Sequence, residues 1–147
     1  MLDTFRIHSR IKEIRKRVVV LVKNFKTIPE EKFLADDDMN AAAERNLEVA
    51  IQACIDIGNH IVAALGLRRE SKELAEVFRV LTDEKVIKED LAKKMVSATG
   101  YRNVIVHQYL EVDRKETYNN IQNRLLDLSE FAKQIELFLE RYEKKSK

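Results

Sequence analysis

Apolar side chains recur at Ile7, Ile11, Ile14, Val18, Leu21 and Phe25, in steps of three and four that set them on one face of a helix. Thr27-Ile28-Pro29-Glu30 ends that helix, and a proline tolerated only in a first turn predicts a short helix over Pro29–Ala35. The acidic triplet Asp36-Asp37-Asp38 then suits the positive N-terminal end of a long helix better than a metal site. That helix, Met39–Leu65, is apolar around much of its circumference and is expected to be the central one, with Gly66 as its C-terminal stop. A polar row nevertheless runs along it: Arg45, Gln52, Asp56 and Asn59, with His60 one turn after Asp56. Buried polar groups require partners, so the row faces a core network, a subunit interface or an active site. A shorter helix is predicted over Ser71–Leu81 and another over Glu84–Gln108, whose stripe reads Ile87, Leu91, Met95, Ala98, Arg102, Ile105. Asp113 and Glu116 form a capping box for one last helix, with Tyr118, Ile121, Leu125, Leu128, Ala132, Ile135, Leu139 and Tyr142 on its inner face. The fold class expected is all-α: an antiparallel four-to-five-helix bundle in a single domain, 1–147.

Composition supports this reading. Three glycines and one proline in 147 residues leave too few turns for a sheet protein. The net charge of +2 names no partner, but residues 1–26 hold eight basic residues against two acidic ones, a net +6, so the rest of the chain carries −4. A basic first helix attracts polyanions, or is simply a solvated face. The one cysteine, Cys54, excludes an internal disulfide and sits in an apolar run as a small core residue. Met1–Arg17 is too charged for a signal peptide, and no uninterrupted apolar run approaches a membrane span, so a cytoplasmic setting is expected.

The chemistry concentrates in Tyr101-Arg-Asn-Val-Ile-Val-His-Gln-Tyr109. Arg102 occupies a position on the apolar stripe, which calls for an anionic or acidic partner. Asn103 lies one turn before His107 and Gly100 two turns before it, all on one face. A glycine inside a helix costs about 1 kcal/mol against alanine, so a close approach of another helix or a substrate is expected there. RNA carries its own nucleophile, the 2′-hydroxyl. Its cleavage needs a proton acceptor, a proton donor and a cation at phosphorus. Histidine exchanges protons near neutral pH, and arginine's planar fork matches phosphate oxygens. One chain supplies one copy of each, so the chemistry calls for two copies facing each other, a homodimer.

The spacing Arg102-Asn103-x-x-x-His107-x-Tyr109 resembles the Arg-x4-His-x-Tyr signature of the HEPN superfamily, in its HepT-like group. Ala43-Glu44-Arg45-Asn46-Leu47, Ile55-Asp56-Ile57-Gly58-Asn59-His60 and Tyr109-Leu-Glu-Val-Asp113 resemble that group in the same order, so the likeness covers about residues 3–140. The resemblance implies a two-fold dimer with a composite cleft and metal-independent RNA cleavage by Arg102 and His107. Asn103 supports the site, and Asp56 and His60 are expected near it. It also implies a toxin paired with a minimal nucleotidyltransferase antitoxin of the MntA type, which silences it by attaching AMP to Tyr109. No cofactor is called for. The competing readings are a non-catalytic, nucleotide-binding HEPN subunit of a nucleotidyltransferase complex, and a structural bundle in which Arg102 is paired with Asp56.

Overall fold

The computed structural model describes residues 1–107 and 111–146. Among them run seven helices: α1 Thr4–Phe25, α2 Glu30–Ala35, α3 Asp37–Ala64, α4 Glu76–Asp83, α5 Glu89–His107, α6 Arg114–Asn123 and α7 Leu125–Ser146. The architecture is all-α, as the periodicity predicts. Helix α3 touches each of the other six, and its inner residues Ala43, Leu47, Ala50, Ile51, Cys54, Ile57 and Ile61 are buried. It is long and apolar enough to meet the length and composition of a membrane span, but much of that stretch is buried against the surrounding helices, as a core helix is. Burial also pushes the Cys54 thiol well above its usual range, which leaves it an inert core residue.

Side-chain pairs fix the directions of the helices. Asp3, the cap of α1, and Arg10 and Arg17 on it meet His60, Asp56 and Asn46 of α3 in that order, so the two helices run antiparallel. Arg15 of α1 grips Glu136 of α7 through both guanidinium nitrogens, one at 2.8 Å. At the start of α3, Asp36 caps the helix by accepting from the Met39 amide at 2.9 Å, and Asp37 pairs with Arg114 of α6. Pro29 stands as the residue before α2. At Gly58 an added Cβ would come within 2.9 Å of Val77 Cγ2 and 3.3 Å of Leu81 Cδ1, so glycine there lets α4 lie directly on α3.

Three boundaries differ from the sequence reading. The single last helix is two: α6 stops at Asn123, and Arg124 leaves helical geometry at φ −123°, ψ 1°. Asn119, Asn120 and Asn123 fill the last turns of α6 with a poor helix former, and Arg124 turns its side chain to Ser97 Oγ at 3.1 Å. Ile121, Leu125 and Leu128 stay buried across the break, which is why the stripe reads as unbroken. The helix expected from Ser71 begins only at Glu76, because Arg69 holds the preceding segment as a strap. Its Nη1 donates to Asn59 Oδ1 at 2.9 Å and its Nη2 to the Glu73 carbonyl at 2.7 Å. The helix expected from Glu84 begins at Glu89. Lys85 adopts φ 58°, with its amide on Thr82 O and the Val86 amide on Leu81 O, so this stretch closes α4 instead.

Candidate functional site

The motif occupies the last two turns of α5, and two buried residues set the rotation of that helix. Tyr101 is buried, and its hydroxyl shares a 2.6 Å hydrogen bond with Thr117 Oγ1 of α6. Burial pushes the Tyr101 phenol well above its usual range, so it stays neutral. Ile105 is buried one turn further on. With these two inward, Arg102 and Asn103 lie at the rim and Val106 and His107 face outward.

Arg102 Nη1 donates to Asn103 Oδ1 at 3.0 Å. Its Nε is a buried atom with no hydrogen-bond partner among the described residues. Arg10 and Arg69 share that feature, but each reaches a side chain of α3, whereas the hydrogen bond of Arg102 to Asn103 stays on α5. Asn103 thus holds one edge of the guanidinium and stands one turn before His107, the last residue of α5. Gly100 continues the same face with nothing within 4 Å of an added Cβ, and Val96, one turn before it, is 39% exposed. Among the described residues, therefore, the close approach expected at Gly100 is not made. Tyr109 lies outside the described residues, as does Gln108 at the expected end of the helix.

Asp56 and His60, expected near the cleft, are placed elsewhere. Asp56 pairs with Arg10 at 3.5 Å and accepts from Gln52 at 2.9 Å, while His60 Nε2 accepts from the Asp3 amide at 2.9 Å. Both therefore face α1. Ala98 of α5 shares a small cavity with Leu47 and Ile51, which sets the motif beside the N-terminal half of α3. Asp56 is twelve residues beyond Glu44, about 18 Å along the helix axis. The ion pair between Arg102 and Asp56 is thus replaced by one between Arg10 and Asp56.

Two groups at the motif end escaped the sequence reading. Glu44, half-buried on α3, is pushed above the usual carboxylate range by burial, against the pull of Arg114, and its charge bears on Tyr101. Arg114 joins α6 to the start of the bundle through Leu34 O at 2.8 Å and through Asp37. Neither has a periodic signature; only the Glu44 position within Ala43–Leu47 hinted at it.

The chain matches the family described as ribonuclease HepT-like over residues 7–135. It belongs to the HepT-like family. Two HepT-like relatives are nucleases by name: a tRNA nuclease HepT of Aphanizomenon flos-aquae, 28% identical, with 90% of this chain and 89% of the relative covered, and an mRNA nuclease HepT of Shewanella oneidensis, 30% identical, with 67% of this chain and 74% of the relative covered. Among solved structures the chain resembles a tri-AMPylated HEPN toxin of Shewanella oneidensis in complex with an MNT antitoxin, at TM-score 0.82 and 25% identity, covering 93% of this chain and 99% of that one. The HepT-like fold assignment therefore holds over nearly the whole chain.

Proposed function

We propose that this chain is a metal-independent endoribonuclease, the toxin of a toxin–antitoxin pair. It acts in the cytoplasm through a single HEPN-like domain, 1–147, and is silenced by adenylylation of Tyr109 by an MntA-like nucleotidyltransferase. The observation that carries the reading is Arg102: a cation at the rim of α5, with one edge on Asn103, its Nε without an acceptor among the described residues, and His107 five residues on at the helix end. These residues supply what the reaction needs. The 2′-hydroxyl of RNA loses its proton to one imidazole and its oxygen attacks the adjacent phosphorus. The bond to the 5′-oxygen breaks, and that oxygen takes a proton from a second imidazole. Arg102 neutralises the charge on the non-bridging oxygens. His107 and Arg102 are the catalytic residues of this proposal, and Asn103 is a positioning residue.

The second imidazole is that of a second copy. The row Val96, Gly100, Asn103, His107 gives two copies a flat, glycine-floored face on which to meet, bringing two motifs together in a homodimer. Sequence relatives named as nucleases and a solved toxin–antitoxin complex of the same fold support the reading. An adduct of AMP on Tyr109, two residues past His107, adds negative charge where Arg102 awaits a phosphate.

The experiment is incubation of the purified protein with RNA in EDTA. The wild type cleaves, while Arg102→Ala and His107→Ala lose at least about 10²-fold in rate and stay folded. Undiminished cleavage by His107→Ala would overturn the assignment. Mass spectrometry after co-expression with the antitoxin finds AMP on the peptide holding Tyr109; a label on another tyrosine refutes the regulatory part.

A further inference from the structure

The surface of α1 opposite its buried stripe is unusual in composition. Ile7, Ile11, Ile14, Leu21 and Phe25 face the core. At 100° per residue, Phe5, Lys12, Lys16, Val19 and Lys23 fall within a narrow arc on the opposite side, and Lys26 follows close to that line. Phe5 is 84% exposed and Val19 63%. The four lysines are exposed, and among the described residues none makes an ion pair or side-chain hydrogen bond. Three arginines of α1 behave differently: Arg10 is held by Asp56, Arg15 by Glu136 and Arg17 by Glu13. Glu13, the one acid within α1, lies off the lysine arc and is taken up by Arg17.

We infer that this lysine face of α1 is an accessory track for the phosphate backbone of the RNA substrate, separate from the cleavage motif. The inference rests on the ribonuclease reading for the identity of the polyanion. From Lys12 to Lys26 the track runs fourteen residues, about 21 Å, long enough to meet several successive phosphates. Phe5 and Val19 interleave it with apolar surface against which a base can lie. Its position suits the role. The C-terminal end of α1 joins α6 through Gln122 on Lys26 O, and Tyr118 of α6 donates to Ile28 O. The same helix α6 holds Tyr101 at the motif end of α5. Lys23 and Lys26 therefore stand at the end of the bundle that carries Arg102 and His107. Toward the other end, Glu136, Glu140 and Glu143 of α7 line the seam beside His8, so the positive field is strongest over Lys16–Lys26. A membrane surface is the poorer match, since the apolar face of α1 that a bilayer would take is already buried in the core.

The test uses the full chain in a His107→Ala background, so that binding is read without cleavage. Affinity for a single-stranded RNA is measured by fluorescence anisotropy across a salt series, with and without the changes Lys12→Gln, Lys16→Gln, Lys23→Gln and Lys26→Gln together. These side chains hold no ion pair or hydrogen bond among the described residues, so the melting temperature should not move. Each phosphate that the protein ceases to neutralise lowers the slope of log affinity against log salt by about 0.7, so the slope falls by about 2 to 3 and affinity drops at least about tenfold at 0.1 M salt. Neutralising Lys72, Lys144 and Lys145 instead leaves the slope in place. An unchanged slope in the four-lysine variant, or no RNA binding by the parent, overturns the track; so does stronger binding to anionic phosphatidylserine vesicles than to RNA. In the cleaving enzyme the same variant raises KM and leaves kcat alone. Salt-dependent binding through the lysines without cleavage by the wild type would sink the ribonuclease reading and leave the track standing.

Discussion

The far half of α3 and the end of α5 both carry polar residues on helices that are otherwise core, yet their polar groups are satisfied in opposite ways. On α3, Asp56 is held by Arg10 and Gln52, Asn59 by Arg69, and His60 by the Asp3 amide. Asp56, Asn59 and His60 each engage another element of the same chain, although Gln52 Oε1 has no partner among the described residues. On α5, among the described residues, Arg102 bonds its own neighbour Asn103 and no other element, and nothing lies within 4 Å of an added Cβ at Gly100. The first row is built into the fold, whereas the second is left for something that arrives. Polar residues on a buried helix thus read differently according to whether another element of the same chain engages them.

The sharpest way to break this comparison is to remove members of each row and read activity and stability side by side. Asp56→Ala and His60→Ala should leave RNA cleavage unchanged and lower stability by about 1 kcal/mol each, the value of a lost hydrogen bond. Arg102→Ala should do the reverse, with the rate down at least about 10²-fold and the melting temperature held. A cleavage defect in Asp56→Ala as deep as that of Arg102→Ala would merge the two rows into one site.

The two glycines give a smaller contrast. Gly58→Val drives methyl groups into Val77 and Leu81 and should cost about 1–3 kcal/mol in denaturant unfolding. Gly100→Ala meets nothing among the described residues, so under conditions dilute enough to hold a single chain it should stabilise α5 by up to about 1 kcal/mol. Destabilisation of the dilute protein by Gly100→Ala would show that the space above it is occupied within the chain.

The smallest effect concerns the clasp between α1 and α7, remote from both rows. Arg15 holds the Glu136 carboxyl below its usual range. A group with a depressed folded-state value stabilises the protein above the ordinary carboxylate range, and that contribution is lost as pH falls through the lowered value. The pair is largely solvated, so its worth is under about 1 kcal/mol. Glu136→Gln should therefore melt slightly below the wild type at pH 7, and the difference should close on acidification. A gap that widens toward low pH would contradict the assignment.

Much of this was legible in the chain. The period of α1 and the apolar girth of α3 identify the bundle, and the break at Pro29 and the cap at Asp36 follow from local chemistry alone. The Arg102–His107 spacing points to the end of α5. What remained hidden depends on residues distant in sequence. The split at Arg124 preserves the apolar stripe, so periodicity does not reveal it. The delayed start of α4 follows from Arg69 reaching Asn59, and the late start of α5 from a lysine in the left-handed region at 85, which no propensity would suggest. Asp56 and His60 sat at helical spacing on the central helix, but spacing does not say which of six neighbours a face meets.

Gly100 also bears on how the protein behaves in a cell. If the roughly 1 kcal/mol that a helix interior gives up to glycine is recovered against a second copy, the order of the motif is tied to mass action. Should two copies meet there, freshly made chains at low abundance would be folded but unarmed. The amount of complete site would grow as the square of concentration while pairing is weak, and the melting temperature would climb with it. The dose at which harm begins would then be set by the affinity between copies, and an antitoxin would need only to act on chains before they pair.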